Sequence, residues 1–250
     1  MLLFYILLIF IVCIYIKFSN NLEFITSSDG VVCVLTKGYK TLEKYDKLLN
    51  RNNTLQKLPW IHKYTHIIFH EGNIPIEHQK YIQSNTKIQL RFVDISDTFF
   101  RDYKSSNGVC DTTKVRQWPI GYKRMCRFWF IDFWKYTNEY KYVLRLDEDI
   151  TLKPDCKDPI EYAKTNNKQY VSSVKMREAE DVINGLDVFM NTDMESLKTI
   201  PGTHSQVINR EYYMKNKECK DFIKSIDDTG CIHINRWGDA PLMGVLVRKF

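Results

Sequence analysis

Tyr140-Lys141-Tyr142-Val143-Leu144-Arg145-Leu146-Asp147-Glu148-Asp149-Ile150 is the stretch on which the rest of this chain is read. Residues 142–146 form a short, mostly apolar run with a β-branched residue and an aromatic, the pattern of a buried strand. Three acids in four residues follow. Two carboxylates at i and i+2 just past a strand, Asp147 and Asp149, share a face if the chain stays extended, with Glu148 pointing away. Such a pair suits a hard divalent cation, Mn²⁺ or Mg²⁺, whose remaining positions are filled by substrate phosphates. The crevice outside the carboxyl ends of strands in an open α/β sheet is also where nucleotides bind. The competing reading is an acidic turn that does no more than face water.

Working outward, residues 31–35, 65–70, 88–95 and 169–175 read as further strands, and residues 39–50, 121–137, 180–189 and 212–226 as helical. Strands alternating with helices predict an α/β domain with a mostly parallel central sheet flanked by helices. The aromatic stretch Gly121 to Thr137 places Phe128, Trp129, Phe130, Phe133 and Trp134 at helical spacing, which is a core stripe. Tyr122, Arg124 and Arg127 lie near the start of this helix, where an anion is favoured.

The chain of 250 residues is 44% hydrophobic and 14% aromatic, enough for one large core, and its 36 basic against 30 acidic residues leave +6. The basic residues are dispersed, so no nucleic-acid footprint is present. Residues 1–16 are unbroken apolar sequence, about 24 Å as a helix, against a hydrocarbon core of about 30 Å. Lys17 can snorkel at its end. Neither a basic leader nor a small-residue cleavage site accompanies the run, which favours an uncleaved signal-anchor over a signal peptide. The predicted organisation is an anchor at residues 1–17, a short stem at 18–29 and one domain at 30–250.

Asn52-Asn53-Thr54 is a glycosylation sequon if this part enters a secretory lumen. His62, His66, His70 and His78 share no metal-binding spacing and read as structural. Leaving out Cys13 in the apolar run, six cysteines remain without zinc spacing, either buried thiols or disulfide partners whose connectivity the sequence does not give.

Two blocks carry a family resemblance. Tyr122-Lys123-Arg124-Met125-Cys126-Arg127-Phe128 with the following Tyr142 to Asp147, and Arg236-Trp237-Gly238-Asp239-Ala240-Pro241, resemble the fungal glycolipid 2-alpha-mannosyltransferases, glycosyltransferase family 15. The resemblance covers residues 120–245 well and the first half in outline. It implies a GT-A fold, a type II membrane protein of the Golgi or another secretory compartment, GDP-mannose as donor and a glycan or glycoprotein as acceptor. It further implies a retaining, metal-dependent transfer of mannose in alpha-1,2 linkage. By position, Asp147 matches the family's metal-contacting carboxylate, Tyr122 a residue near the donor, and Asp239 a carboxylate near the reacting sugar. Arg127, Arg145 and Trp237 complete the expected donor-binding set, with Trp237 offering a flat face to a sugar.

The chain also departs from the family pattern. Glu148 stands where the family has proline, and Gln206 aligns with the proposed nucleophilic glutamate. Gln206 cannot act as a carboxylate nucleophile, and a front-face route assisted by the leaving phosphate would not need one. The family's metal-binding histidine lies beyond the RWGDAP block, and no counterpart occurs between that block and Phe250. A catalytically degenerate nucleotide-sugar or glycan-binding protein is therefore the second expectation. A phosphotransferase is disfavoured because neither a P-loop nor a kinase motif is present.

Overall fold

The computed structural model of the protein describes residues 28–101, 110 and 118–250. The expected anchor and all but the end of the stem lie outside the described residues. Among those described, no helix is long and apolar enough to cross a membrane.

The chain enters as β1 (Gly30–Thr36), α1 (Asp46–Leu55), β2 (Thr65–His70), α2 (Ile76–Ser84) and β3 (Leu90–Asp94). After the segment around residues 102–117 come α3 (Ile120–Arg127), β4 (Tyr142–Leu146) and α4 (Pro159–Thr165). Then follow β5 (Tyr170–Ser172), β6 (Lys175–Arg177), β7 (Thr199–Pro201) and β8 (Ser205–Asn209). The last helices are α5 (Arg210–Lys215), α6 (Lys217–Thr229) and α7 (Asp239–Lys249). The main sheet runs β3-β2-β1-β4-β8-β5, and β6 and β7 form a separate ribbon. β3, β2, β1 and β4 are parallel, whereas β8 is antiparallel to both β4 and β5. The expected α/β architecture is present, with β8 reversed between β4 and the edge strand β5.

Alternation along the strands sorts the core into two layers. Val31, Cys33, Ile67, Phe69, Val143 and Ile208 face the aromatic stripe, whose Phe128, Phe130 and Phe133 are fully buried. Val32, Leu144, Leu146 and Val207 face Ile160 and Ala163 of α4, while Val34 and Ile68 face Leu48 of α1. Each buried aliphatic or aromatic side chain contributes about 1.5–3 kcal/mol relative to exposure. The aromatic segment is not one regular helix, because Phe128–Asp132 widens into a π-helical turn before Phe133–Tyr136 resumes.

Several expected elements differ. The helix predicted at 39–50 begins at Asp46 after a 3₁₀ turn, Leu42–Tyr45. The strand predicted at 169–175 is broken into β5 and β6, and the helix at 180–189 into a 3₁₀ turn and Leu186–Met190. The helix expected at 212–226 is two helices, parted at Asn216, whose side chain accepts a hydrogen bond from the Cys219 amide at 3.2 Å. Asn52 is fully buried in α1, where Arg51 Nη1 donates to its Oδ1 at 2.9 Å, so the sequon is closed to glycosylation in the folded protein. Cys110 and Cys231 form a disulfide, and Cys33, Cys126, Cys156 and Cys219 are free thiols.

Candidate active site

β1 neighbours both β2 and β4, so successive connections leave it in opposite directions and a crevice opens at the carboxyl ends of these strands. A cleft of about 500 Å³ occupies that position. Its walls are Thr36 at the end of β1, Lys37 and Tyr39 after it, Glu71 after β2, and Asp147, Glu148 and Asp149 after β4. Gly121, Tyr122, Met125 and Trp129 close it from α3 and the π-helical turn. A larger cavity of about 580 Å³ lies at the opposite ends of the strands, beside Lys63, Lys87 and Arg91, away from the acidic turn.

The three acids do not continue the strand. The Ile150 amide donates to the Asp147 carbonyl at 3.2 Å, so residues 147–150 form a turn and strand alternation does not govern them. Glu148 turns inward. Its carboxylate accepts from Thr36 Oγ1 at 2.9 Å and from Tyr39 Oη at 3.1 Å. Burial raises the Glu148 pKa against the lowering effect of these two hydrogen bonds. In return Tyr39 is pushed up to about 12, by burial first and then by Glu148. Asp149 is exposed on the cleft wall.

Asp147 is fixed by Arg145. Arg145 Nε donates to Asp147 Oδ1 at 2.8 Å and Nη2 to Oδ2 at 3.3 Å, while Nη1 donates to Asp239 Oδ2. The guanidinium also lies 4.3 Å from the centre of the Trp129 ring and is only 3% exposed. Burial disfavours its charge, but Asp147 and Asp239 outweigh burial and raise its pKa. Arg51, also buried, stands behind the turn; burial brings it down to about 10, with Asp147 foremost among the charges holding it up.

Gln206 pairs with Arg145 in the β4–β8 register and is 2% exposed. Tyr170 Oη donates to its amide oxygen. Asp147, Arg145, Asp239 and Gln206 are therefore brought together, and Tyr122 stands on the cleft wall near them. Asp239 is the first residue of α7; the N-cap is Gly238, and the Asp239 side chain is spent on Arg145. A Cβ on Gly238 would meet Pro241 Cδ at 3.1 Å, so packing within this turn accounts for the glycine.

Two expected donor-binding residues lie elsewhere. Trp237 is fully buried, its ring 5.6 Å from Phe189 and its Nε1 donating to the Asn184 carbonyl at 2.8 Å, so it offers no face to a sugar. Arg127 is buried beside Asp132 and Asp227, accepting no role in the cleft wall: its Nε and Nη2 donate to Asp227 at 2.9 and 3.0 Å. Helical rotation explains this, since Arg127 lies five residues past Tyr122 and faces the core side of α3. Conversely Arg236, with φ of 58°, stacks on Trp118 and Tyr122 at 4.0 and 4.5 Å from their ring centres. Thr36, Tyr39, Glu71 and Tyr170 were not singled out by sequence. Only their position at strand ends could have marked them.

Among the described residues no three His, Cys, Asp or Glu side chains converge as a metal cage. The acidic turn places Asp147, Glu148 and Asp149 on the cleft wall; with Glu148 held by Thr36 and Tyr39, the other two fit a cation completed by phosphate oxygens rather than by protein.

No family model matches the chain. It is 21% identical over 269 residues to a probable mannosyltransferase, MNT3, of Candida albicans, covering 94% of this chain and 66% of that protein. It is 28% identical over 155 residues to a probable mannosyltransferase, KTR3, of Saccharomyces cerevisiae, covering 52% of this chain and 38% of that protein. The chain thus spans less than two thirds of the length of these relatives. Among solved structures it is similar to the mannosyltransferase Ktr4p of S. cerevisiae, with a TM-score of 0.70 and 15% identity over 88% of this chain and 65% of the other. It is also similar to core-mannan synthase A of Aspergillus fumigatus in a Mn/GDP form, with a TM-score of 0.72 and 14% identity over 88% and 69%. At such identities the structural likeness establishes the fold.

Proposed function

We propose, from the premise that the chain belongs with the fungal mannosyltransferases of glycosyltransferase family 15, that it transfers mannose from GDP-mannose to a hydroxyl of a glycan or glycoprotein. The transfer is metal-dependent, retains the anomeric configuration and forms an alpha-1,2 linkage. The observation that carries this reading is the acidic turn clamped by Arg145 at the head of a cleft that opens where the strand order reverses. The structural neighbour of Aspergillus fumigatus in its Mn/GDP form supports the choice of donor and metal.

Asp147 and Asp149 would hold the divalent cation, which, when bound, neutralises charge on the diphosphate. Glu148 ties the turn to β1 through Thr36 and Tyr39. Arg145 orients Asp147 and, with Asp239, keeps a fixed charge arrangement beside the cleft. The bond from the anomeric carbon to the phosphate oxygen breaks while the acceptor oxygen forms its bond on the same face. The acceptor proton passes to that phosphate oxygen, and GDP leaves. This route demands no protein nucleophile, in keeping with Gln206 in place of a carboxylate. Trp129 and Tyr122 wall the cleft and limit water near the reacting bond.

A type II orientation in a secretory lumen accompanies this function, supported by the apolar residues 1–16 and by the Cys110–Cys231 disulfide, which needs an oxidising compartment. The second reading, a nucleotide-sugar-binding protein without turnover, is favoured by Gln206 alone. A thermal-shift screen of nucleotide sugars with and without Mn²⁺ tests both, followed by a transfer assay with the best donor. GDP-mannose should stabilise the protein most, and only with Mn²⁺; stabilisation by UDP-sugars instead would refute the donor. Mn²⁺-dependent GDP binding without transfer to any mannoside would establish the second reading.

A further inference from the structure

We propose that Glu71 reads the base of the nucleotide donor and makes this cleft select guanine. The inference rests on the cleft being the donor site. Glu71 follows the last residue of β2 and contributes to the cleft wall on the side away from the acidic turn. Asp147 follows β4, and β1 lies between the two strands. Two strand spacings, roughly 9–10 Å, therefore separate the strand end that offers metal ligands from the one that offers Glu71. That span suits a nucleoside diphosphate laid across the strand ends, with its phosphates at β4 and its base at β2.

The chemistry of Glu71 fits a base rather than a phosphate. A carboxylate in the cleft repels phosphate and accepts paired N–H donors. Guanine presents two adjacent donors on its Watson–Crick edge, N1–H and the 2-amino group, and both can reach one carboxylate. Uracil presents one N–H flanked by two carbonyl oxygens, which a carboxylate repels. Adenine has one amino group beside an unprotonated ring nitrogen.

The carboxylate is also available. Of the other carboxylates at these strand ends, Glu148 is held by Thr36 and Tyr39 and Asp147 by Arg145, while Asp149 lies in the acidic turn at the far side of the cleft. Among the described residues, Glu71 has one side-chain contact within hydrogen-bond range, from Asn73 Nδ2 at 3.5 Å, two residues on. It is partly buried, and burial raises its pKa, with Lys37 and Arg124 acting in the opposite direction. A partly dehydrated acceptor, held among the described residues by one long hydrogen bond, keeps lone pairs for a ligand's N–H donors.

The test is calorimetric titration of the full chain with GDP, IDP and ADP in the presence of Mn²⁺, for the wild type, Glu71→Gln and Glu71→Ala. IDP keeps N1–H but lacks the 2-amino group. The wild type should bind GDP at least about tenfold more tightly than IDP, the scale of one charge-assisted hydrogen bond. Both variants should lose about tenfold or more in GDP affinity, bring the GDP/IDP ratio to within about twofold, and leave the weak ADP affinity unchanged. An unchanged GDP/IDP ratio in both variants, with GDP still bound, would overturn the role of Glu71 and leave the donor reading standing. Failure of the wild type to bind GDP at all would overturn the donor reading and this inference with it. Equal losses for GDP, IDP and ADP would show that Glu71 shapes the cleft without reading the base, which also refutes the inference.

Discussion

Arg145 joins the two signature blocks of the sequence through Asp239, as Arg236 does through Tyr122. The Arg145 guanidinium is almost fully buried, a state that costs several kcal/mol unless charge and hydrogen bonds are returned. Here Asp147 takes two donors, Asp239 takes a third, and the face of Trp129 covers the plane. Only arginine has a planar fork that reaches two carboxylates at once. The arrangement changes what Asp239 means. As a helix cap it would tolerate asparagine at a cost of a few tenths of a kcal/mol, since the two residues cap equally well. As one pole of a buried ion pair it would not. Asp239→Asn should lower the unfolding free energy by about 3 kcal/mol or more by urea denaturation. It should also reduce transfer by roughly 10²-fold, with loss mainly in kcat if GDP-mannose still binds. A stability change below about 0.5 kcal/mol would mean that the Arg145–Asp239 pair contributes nothing in solution.

The elements divide by how far local pattern and tertiary demand agree. β2 and β4 lie at the residues expected for them, because continuous apolar runs are what a strand covered on both faces requires. β8 escaped notice for the opposite reason. Its sequence, Ser205-Gln206-Val207-Ile208-Asn209, carries a polar Gln206 that faces Arg145 and Tyr170 instead of water, so its alternation does not look amphipathic. The acidic turn was legible as chemistry but not as geometry: Asp147-Glu148-Asp149 marks a site, whereas its bend, and the inward direction of Glu148, depend on Thr36 and Tyr39 more than a hundred residues earlier. Trp237 reads as a sugar platform by type, and only packing against Phe189 reveals it as core. The break between α5 and α6 has a local cause, since Asn216 is a favoured N-cap residue and its side chain accepts from the amide three residues on. Asn216→Ala removes the acceptor for the Cys219 amide and should cost about 1 kcal/mol, a fall of about 2–4 °C in Tm for a chain of this size. Asn216→Asp should restore the wild-type Tm to within about 1 °C. A Tm for Asn216→Ala equal to the wild type would show that the two helices are separated by packing and not by the cap.

At the scale of the whole molecule, the parallel strands build a core that excludes water from both faces, and the titratable groups trapped in it tie the fold to pH. His66 on β2 is 2% exposed, with Nε2 3.1 Å from the Ile61 carbonyl, and burial brings it down to about 3. In the unfolded chain a histidine titrates near 6.5. Between about pH 6.5 and 3 the unfolded state therefore holds a proton that the folded state refuses. Stability attributable to His66 is full above pH 6.5 and is lost as pH falls, at about 1.4 kcal/mol per unit within that window. His233, brought down to about 4 by burial first and then by nearby cations, acts with the same sign. Asp132 opposes them: burial raises it to about 6, so the folded state holds the extra proton between the ordinary aspartate range and pH 6. Comparing the wild type with His66→Gln isolates the first effect. Glutamine can keep a donor toward the Ile61 carbonyl but does not titrate. The urea midpoint of the wild type should fall more steeply than that of His66→Gln as pH is lowered from 6.5 to 4.5, with a divergence of about 2–3 kcal/mol across those two units. Parallel curves would mean that His66 takes up its proton in the folded protein as readily as in the unfolded one, and that the core at β2 admits water.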